Sequence, residues 1–173
     1  MAGQLVQVAT NTVSSAVSSV TLTGIDTNDV YMLAISNLTP STINADMKLR
    51  VTESGSASAD SDYDRGAKML RTDTTYSNLA DANADGFLLS GSLNNTNGKG
   101  FNCIVYIFNA YDSSEYTYTT HESLYMSEDL STLLGLQGGG VYTQTTEVDG
   151  VGITMVGPTS DIQSGTLTLY RVV

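Results

Sequence analysis

Apolar and polar positions alternate with a period of two along most of this chain, most cleanly near its ends. Ser164-Gly165-Thr166-Leu167-Thr168-Leu169-Tyr170-Arg171-Val172-Val173 interleaves aliphatic with hydroxyl side chains up to the last residue. That is the pattern of a half-buried strand pinned in a sheet. Val17-Ser18-Ser19-Val20-Thr21-Leu22-Thr23-Gly24-Ile25 uses the same alphabet near the start. Both ends are therefore predicted to be strands, with the two termini close together.

Between these ends the pattern predicts a series of short strands. Leu5, Val6 and Val8 mark an N-terminal arm or first strand within residues 1–10, ahead of a domain over residues 11–173, and residues 12–25 read as one long extended segment. Asp26-Thr27-Asn28-Asp29 is a turn, and residues 30–35, apolar on both faces, predict a central strand. In residues 46–53, Met47, Leu49 and Val51 point one way while Lys48, Arg50 and Thr52 point to solvent. Residues 54–64 predict a surface loop, and residues 66–79 mix their signals with a strand favoured over a short helix. Residues 87–93 and 101–109 are apolar strands, and Asn97-Gly98 between them predicts a hairpin. Residues 111–126 carry Tyr116, Tyr118 and Thr120 on one side and Thr117, Thr119 and His121 on the other. Residues 140–146, 150–156 and 165–173 close the domain, with Gly138-Gly139-Gly140 and Gly157-Pro158 as breakers. About ten short strands joined by Gly, Asn, Asp and Ser predict an all-β fold: a single antiparallel β-sandwich, jelly-roll-like, with another sandwich topology as the alternative.

Length and composition agree with one such domain. A chain of 173 residues buries roughly 70% of its unfolded surface on folding and needs no disulfide or metal to do so. Eighteen acids against seven bases give a net charge of -11, which repels phosphate and argues against nucleic-acid binding. No run of about 20 apolar residues predicts a spanning helix, and Met1-Ala2-Gly3-Gln4-Leu5-Val6 lacks the basic and apolar segments of a signal peptide. Cytoplasmic synthesis without membrane association is expected. Cys103, the single cysteine, lies in an apolar run and reads as a buried, inert thiol.

Candidate chemistry is sparse. Asp81-Ala82-Asn83-Ala84-Asp85-Gly86-Phe87-Leu88 reproduces the first half of an EF-hand-type calcium loop, making Asp81, Asn83 and Asp85 candidate Ca2+ ligands. The twelfth position is Ser92 instead of a bidentate glutamate, and a plain Asx turn reads the same way. Asp60, Asp62 and Asp64 share the alternate spacing, but Arg65 replaces the glycine. His121, the single histidine, has no nucleophile elbow to serve and reads as a structural or surface histidine. Tyr111, Tyr116, Tyr118 and Tyr125 could form a sugar-stacking platform, or ordinary strand and interface surface. Glu115 with Glu122 and Glu128 with Asp129 read as a solvated acidic face, so no catalytic residue is assigned.

The whole chain resembles tailed-bacteriophage virion structural proteins built on a jelly-roll-like β-sandwich. The likeness rests on Val13-Ser14-Ser15-Ala16-Val17 running into the first long strand, on Ser61-Asp62-Tyr63-Asp64, and on the closing Ser164-Gly165-Thr166-Leu167-Thr168-Leu169-Tyr170. Arg171 stands where such proteins often carry glycine. The resemblance implies a non-enzymatic virion component, made in the host cytoplasm: a capsid decoration or cement protein, expected as a homotrimer on the major capsid protein. The alternative is a tail-fibre or receptor-binding tip that recognises a host glycan.

Overall fold

The computed structural model describes residues 3–157 and 160–173. Thirteen strands form, all paired antiparallel, and no helix forms among the described residues. They are β1 (Leu5–Val13), β2 (Ser19–Thr23), β3 (Val30–Pro40), β4 (Ala45–Glu53), β5 (Ser56–Ala57), β6 (Tyr63–Arg71), β7 (Ser77–Ala84), β8 (Phe87–Leu93), β9 (Phe101–Phe108), β10 (Thr117–Met126), β11 (Leu133–Tyr142), β12 (Gly150–Val156) and β13 (Ile162–Val172). The count rises from about ten to thirteen in part because residues 66–79 divide between two strands and the loop at residues 54–62 contributes a short one.

An eight-stranded sheet runs β1-β13-β3-β9-β10-β11-β6-β7, and the second sheet runs β2-β12-β4 with β5 and β8 both on the far edge of β4. Within them lie two four-stranded sets, β1-β13-β3-β9 and β2-β12-β4-β8. Read in chain order, these eight strands trace the double Greek key of a jelly roll. The rest is inserted: β5, β6 and β7 between β4 and β8, and β10 and β11 between β9 and β12. Strands β10, β11, β6 and β7 extend the large sheet beyond β9 and give it a broad outer face.

Period-two alternation supplies the core. Tyr31, Leu33 and Ile35 of β3, Val105 and Ile107 of β9, and Leu167 and Leu169 of β13 face inward from the large sheet. Met47, Leu49 and Val51 of β4, with Val151 and Ile153 of β12, close from the small one. All are buried. Cys103 is buried in the same layer, and desolvation pushes its thiol pKa well above the usual value. The termini do meet: Leu5 pairs with Val172, and Gln4 and Val173 exchange backbone hydrogen bonds of 2.6 and 2.9 Å. The segment expected as an arm or first strand is strand from Leu5 onward; Met1 and Ala2 lie outside the described residues.

Several local expectations fail, each where a tertiary partner overrides a local signal. Residues 94–100 do not close a hairpin but cross from β8 in the small sheet to β9 in the large one. Gly98 turns at φ +76° as Asn-Gly predicts, yet buried Asn94 donates to the Glu128 carbonyl at 2.6 Å and a Cβ on Gly100 would lie 2.8 Å from the Asn37 backbone. That docking, and not the turn, sets where the next strand pairs. Gly138-Gly139-Gly140 breaks nothing and lies inside β11. Residues 12–25 split at the bend between β1 and β2. Tyr63 is fully buried at the end of the expected surface loop, edge-on to Phe87 with centroids 4.9 Å apart, where its hydroxyl accepts from Val51 N–H (3.1 Å) and donates to the Ser58 carbonyl (3.0 Å). The predicted solvent row of β4 is also covered. Thr52 is buried and donates to Asp149 at 2.6 Å, while Lys48 and Arg50 clasp Asp85 from the β7–β8 turn. The breaker at Gly157 follows β12, and Pro158 lies outside the described residues.

Candidate functional site on the outer face of the large sheet

The inserted strand β10 has its polarity reversed. Thr117, Thr119, His121 and Ser123 face inward and are buried, while Tyr118 and Leu124 face outward with about half their surface exposed. Ser123 finds partners, donating to the Leu89 carbonyl at 2.9 Å and accepting from Leu136 N–H at 3.2 Å. The hydroxyls of Thr117, Thr119 and Ser90 and both nitrogens of His121 find none among the described residues. Each buried unpaired group costs about 1–3 kcal/mol. A one-residue slip would exchange the two faces. This register holds because Tyr125, also inward, packs on Phe101 at 5.7 Å and accepts from Gly91 N–H at 3.0 Å.

Neighbouring β9 adds to the outward apolar set. Phe101, Cys103, Val105 and Ile107 go to the core, leaving Ile104 and Tyr106 exposed at 46% and 41%. Ile104 pairs across to Glu122, and Tyr106 to Thr120. Beyond β10, the outer positions of β11 are Gly135, Gln137 and Gly139, and those of β6 opposite them are Leu70, Lys68 and Gly66. The missing side chains leave two adjoining depressions, of about 530 Å³ against Leu70, Ile104 and Leu124, and about 490 Å³ against Tyr106, Thr120 and Gln137. The face is thus an apolar and aromatic surface over a glycine-floored strip, with Glu122 and Lys68 as its charged groups on either side of β11.

Comparison with known proteins adds nothing to this geometry. No protein-family model matches the chain, and no curated protein matches it significantly.

The residues singled out in the sequence fall elsewhere or rearrange. Asp81 lies on β7 and pairs with Arg65 at 2.9 Å; Asp85 pairs with Lys48 and, at 2.6 Å, with Arg50; Asn83 takes φ +57° and donates its N–H to Asp64 at 2.9 Å. The Asp81 and Asp85 carboxylates are thus directed to separate cations. Among the described residues no three of His, Cys, Asp and Glu gather as a metal site. The Lys48 hydrogen bond, then Arg50, holds the Asp85 carboxyl below the usual carboxylate range. His121 borders a cavity of about 200 Å³ with Arg65, Ala67, Leu79, Asp81 and Leu88, and desolvation lowers its pKa to about 4. Of the tyrosines expected as a platform, Tyr111, Tyr116 and Tyr118 are exposed, but Tyr125 is in the core. Tyr106 joins the exposed set instead. Glu122 accepts from Gln137 at 2.7 Å, and Asp129 is held by Ser127 and Ser131 within its own turn.

Sequence reading missed Ile104, Tyr106, Leu70 and Lys68. The signal was present in residues 101–108, where the outward Ile104 and Tyr106 interrupt the expected polar alternation. Such a strand, in a sheet with only one covered face, leaves apolar side chains on an open surface.

Proposed function

We propose that this protein is a non-enzymatic structural subunit of a bacteriophage virion, a decoration or cement protein that binds the major capsid protein on the outer surface of the head. One observation carries the reading: β9 and β10 turn Ile104, Tyr106, Tyr118 and Leu124 outward on a jelly roll whose opposite face is already packed. Exposed aromatic and aliphatic rows on a rigid sheet suit burial against another protein. The resemblance in the opening and closing strands supports the virion setting. Function is then repeated binding: each copy buries part of its surface against its neighbours, and many copies add avidity to the shell. The net charge of -11 on every copy keeps free subunits and finished particles apart in solution.

A second reading, a receptor-binding tip for host glycans, is favoured by the exposed rings of Tyr106, Tyr116 and Tyr118. One experiment separates the two. The purified chain is added to capsids lacking it, and bound copies are located by cryo-electron microscopy. Saturable density at symmetry-related head sites is expected; bare shells with density confined to the tail would reject the head assignment in favour of the tip.

A further inference from the structure

We propose that the outer face of β10, β11 and β6 is a two-fold interface whose occupant is a second copy of this chain. The inference builds on the reading of this face as an assembly surface and goes further, because its charges and side-chain sizes are arranged to fit themselves. Glu122, Gln137 and Lys68 form one cross-strand row, and Leu124, Gly135 and Leu70 form the next. Adjacent strands lie about 4.8 Å apart, so Glu122 and Lys68 sit about 10 Å from each other, evenly disposed about β11. Neither has an oppositely charged partner among the described residues. Glu122 is held by Gln137, and Lys68 lies over the Tyr76 ring at 5.4 Å.

A half-turn about an axis along β11, in the plane of contact, exchanges the positions of β10 and β6. Glu122 then faces Lys68 of the second copy, and Lys68 faces its Glu122. The same rotation sets Leu124 against Leu70 of the other copy, twice. Thr120 meets the bare backbone of Gly66, since Thr120, Gly139 and Gly66 form the third row. The axis strand carries no side chain at Gly135, which the Leu124 side chain covers, or at Gly139, and only Gln137 projects between them, so two sheets can close to the spacing of roughly 10 Å seen in packed sandwiches. This is the self-complementarity that an isologous contact requires: one residue's partner is the other residue in the second copy. It places two ion pairs beside four leucines and offsets the repulsion between two acidic chains.

Charge reversal provides the test, by sedimentation over a concentration series of the full chain. Wild type is expected to dimerise, and Glu122→Lys or Lys68→Glu alone to weaken the dimer by about tenfold or more. The double variant restores it. An equimolar mixture of the two single variants forms heterodimers, because each reversed residue then meets its opposite. Glu122→Lys makes the chain less acidic, so an effect of overall charge alone would strengthen association in that variant and runs against the expected result. Both side chains are exposed, and thermal midpoints that agree at dilutions where every variant is monomeric check that the fold is intact. A monomer at every concentration, a trimer, or single variants that associate like wild type would overturn the proposal. Decoration of capsids by a strictly monomeric chain overturns this interface and leaves the virion reading standing; a charge-swappable dimer that ignores capsids supports the interface and rejects that reading.

Discussion

His121 is the side chain through which acidity acts most directly on this fold. It is 4% exposed on the inward face of β10, and burial lowers its pKa from 6.5 to about 4. Between those values the unfolded chain binds a proton that the folded chain refuses, so stability falls as pH drops through that window. The shift corresponds to a loss of about 3 kcal/mol once both states are protonated. Urea midpoints measured from pH 7 to pH 4 should fall in wild type, with a visibly flatter profile for His121→Leu; equal slopes would show that another group governs the response. Asp85 works with the opposite sign. Its carboxyl is held below the ordinary 3.8, chiefly by Lys48, so the stability it contributes is complete above 3.8 and is lost as pH falls through the lowered folded value. Asp85→Asn strands two partly covered cations and should cost about 1–2 kcal/mol at neutral pH, since the pair is partly solvated. The gap between variant and wild-type denaturation curves should close in acid. The alternate spacing of Asp81, Asn83 and Asp85 before Gly86 was legible as a calcium-like turn, but the cations that take the Asp85 carboxylate come from β4, 35 and 37 positions away.

At the scale of elements, alternation located strands well wherever one face meets the core. Residues 87–93 and 150–156 are β8 and β12 to the residue. It failed where glycine stands for contact instead of a turn. A Cβ on Gly140 would lie 2.3 Å from the Asp64 carbonyl and 2.8 Å from the Phe87 ring, and one on Gly138 would lie 2.4 Å from the Gly66 carbonyl. These positions are empty so that β10 and β6 can close on β11 beneath β8. Gly140→Ala should therefore destabilise the domain by about 1–3 kcal/mol, by overpacking against backbone that cannot yield. Chemical denaturation with an unchanged midpoint would mean that the strands have slack there. Three glycines in a row carry no mark that tells a close approach from a loop, so this part was not legible without the neighbouring strands.

Across the whole molecule, the fold begins and ends in the same place. β13 lies between β1 and β3 in the large sheet, so the last residues of the chain are interior to a sheet although terminal in sequence. Hydrogen exchange should find the amides of Leu167 and Leu169 among the slowest in the protein, comparable to those of β3; exchange typical of a frayed end would contradict the β1–β13 pairing. Sequence alone determined that the chain is an antiparallel β-sandwich, which strands are half-buried, and that its surface is acidic, because those properties depend on period, composition and charge within a few residues. It did not determine which strands are neighbours, that residues 94–100 change sheets, or that β10 buries hydroxyls and displays Leu124 beside Ile104. Those depend on pairings between segments far apart in the chain. The tertiary structure decided them because one pairing register packs both inner faces together, and that register also set Glu122 and Lys68 on either side of a glycine-lined strand.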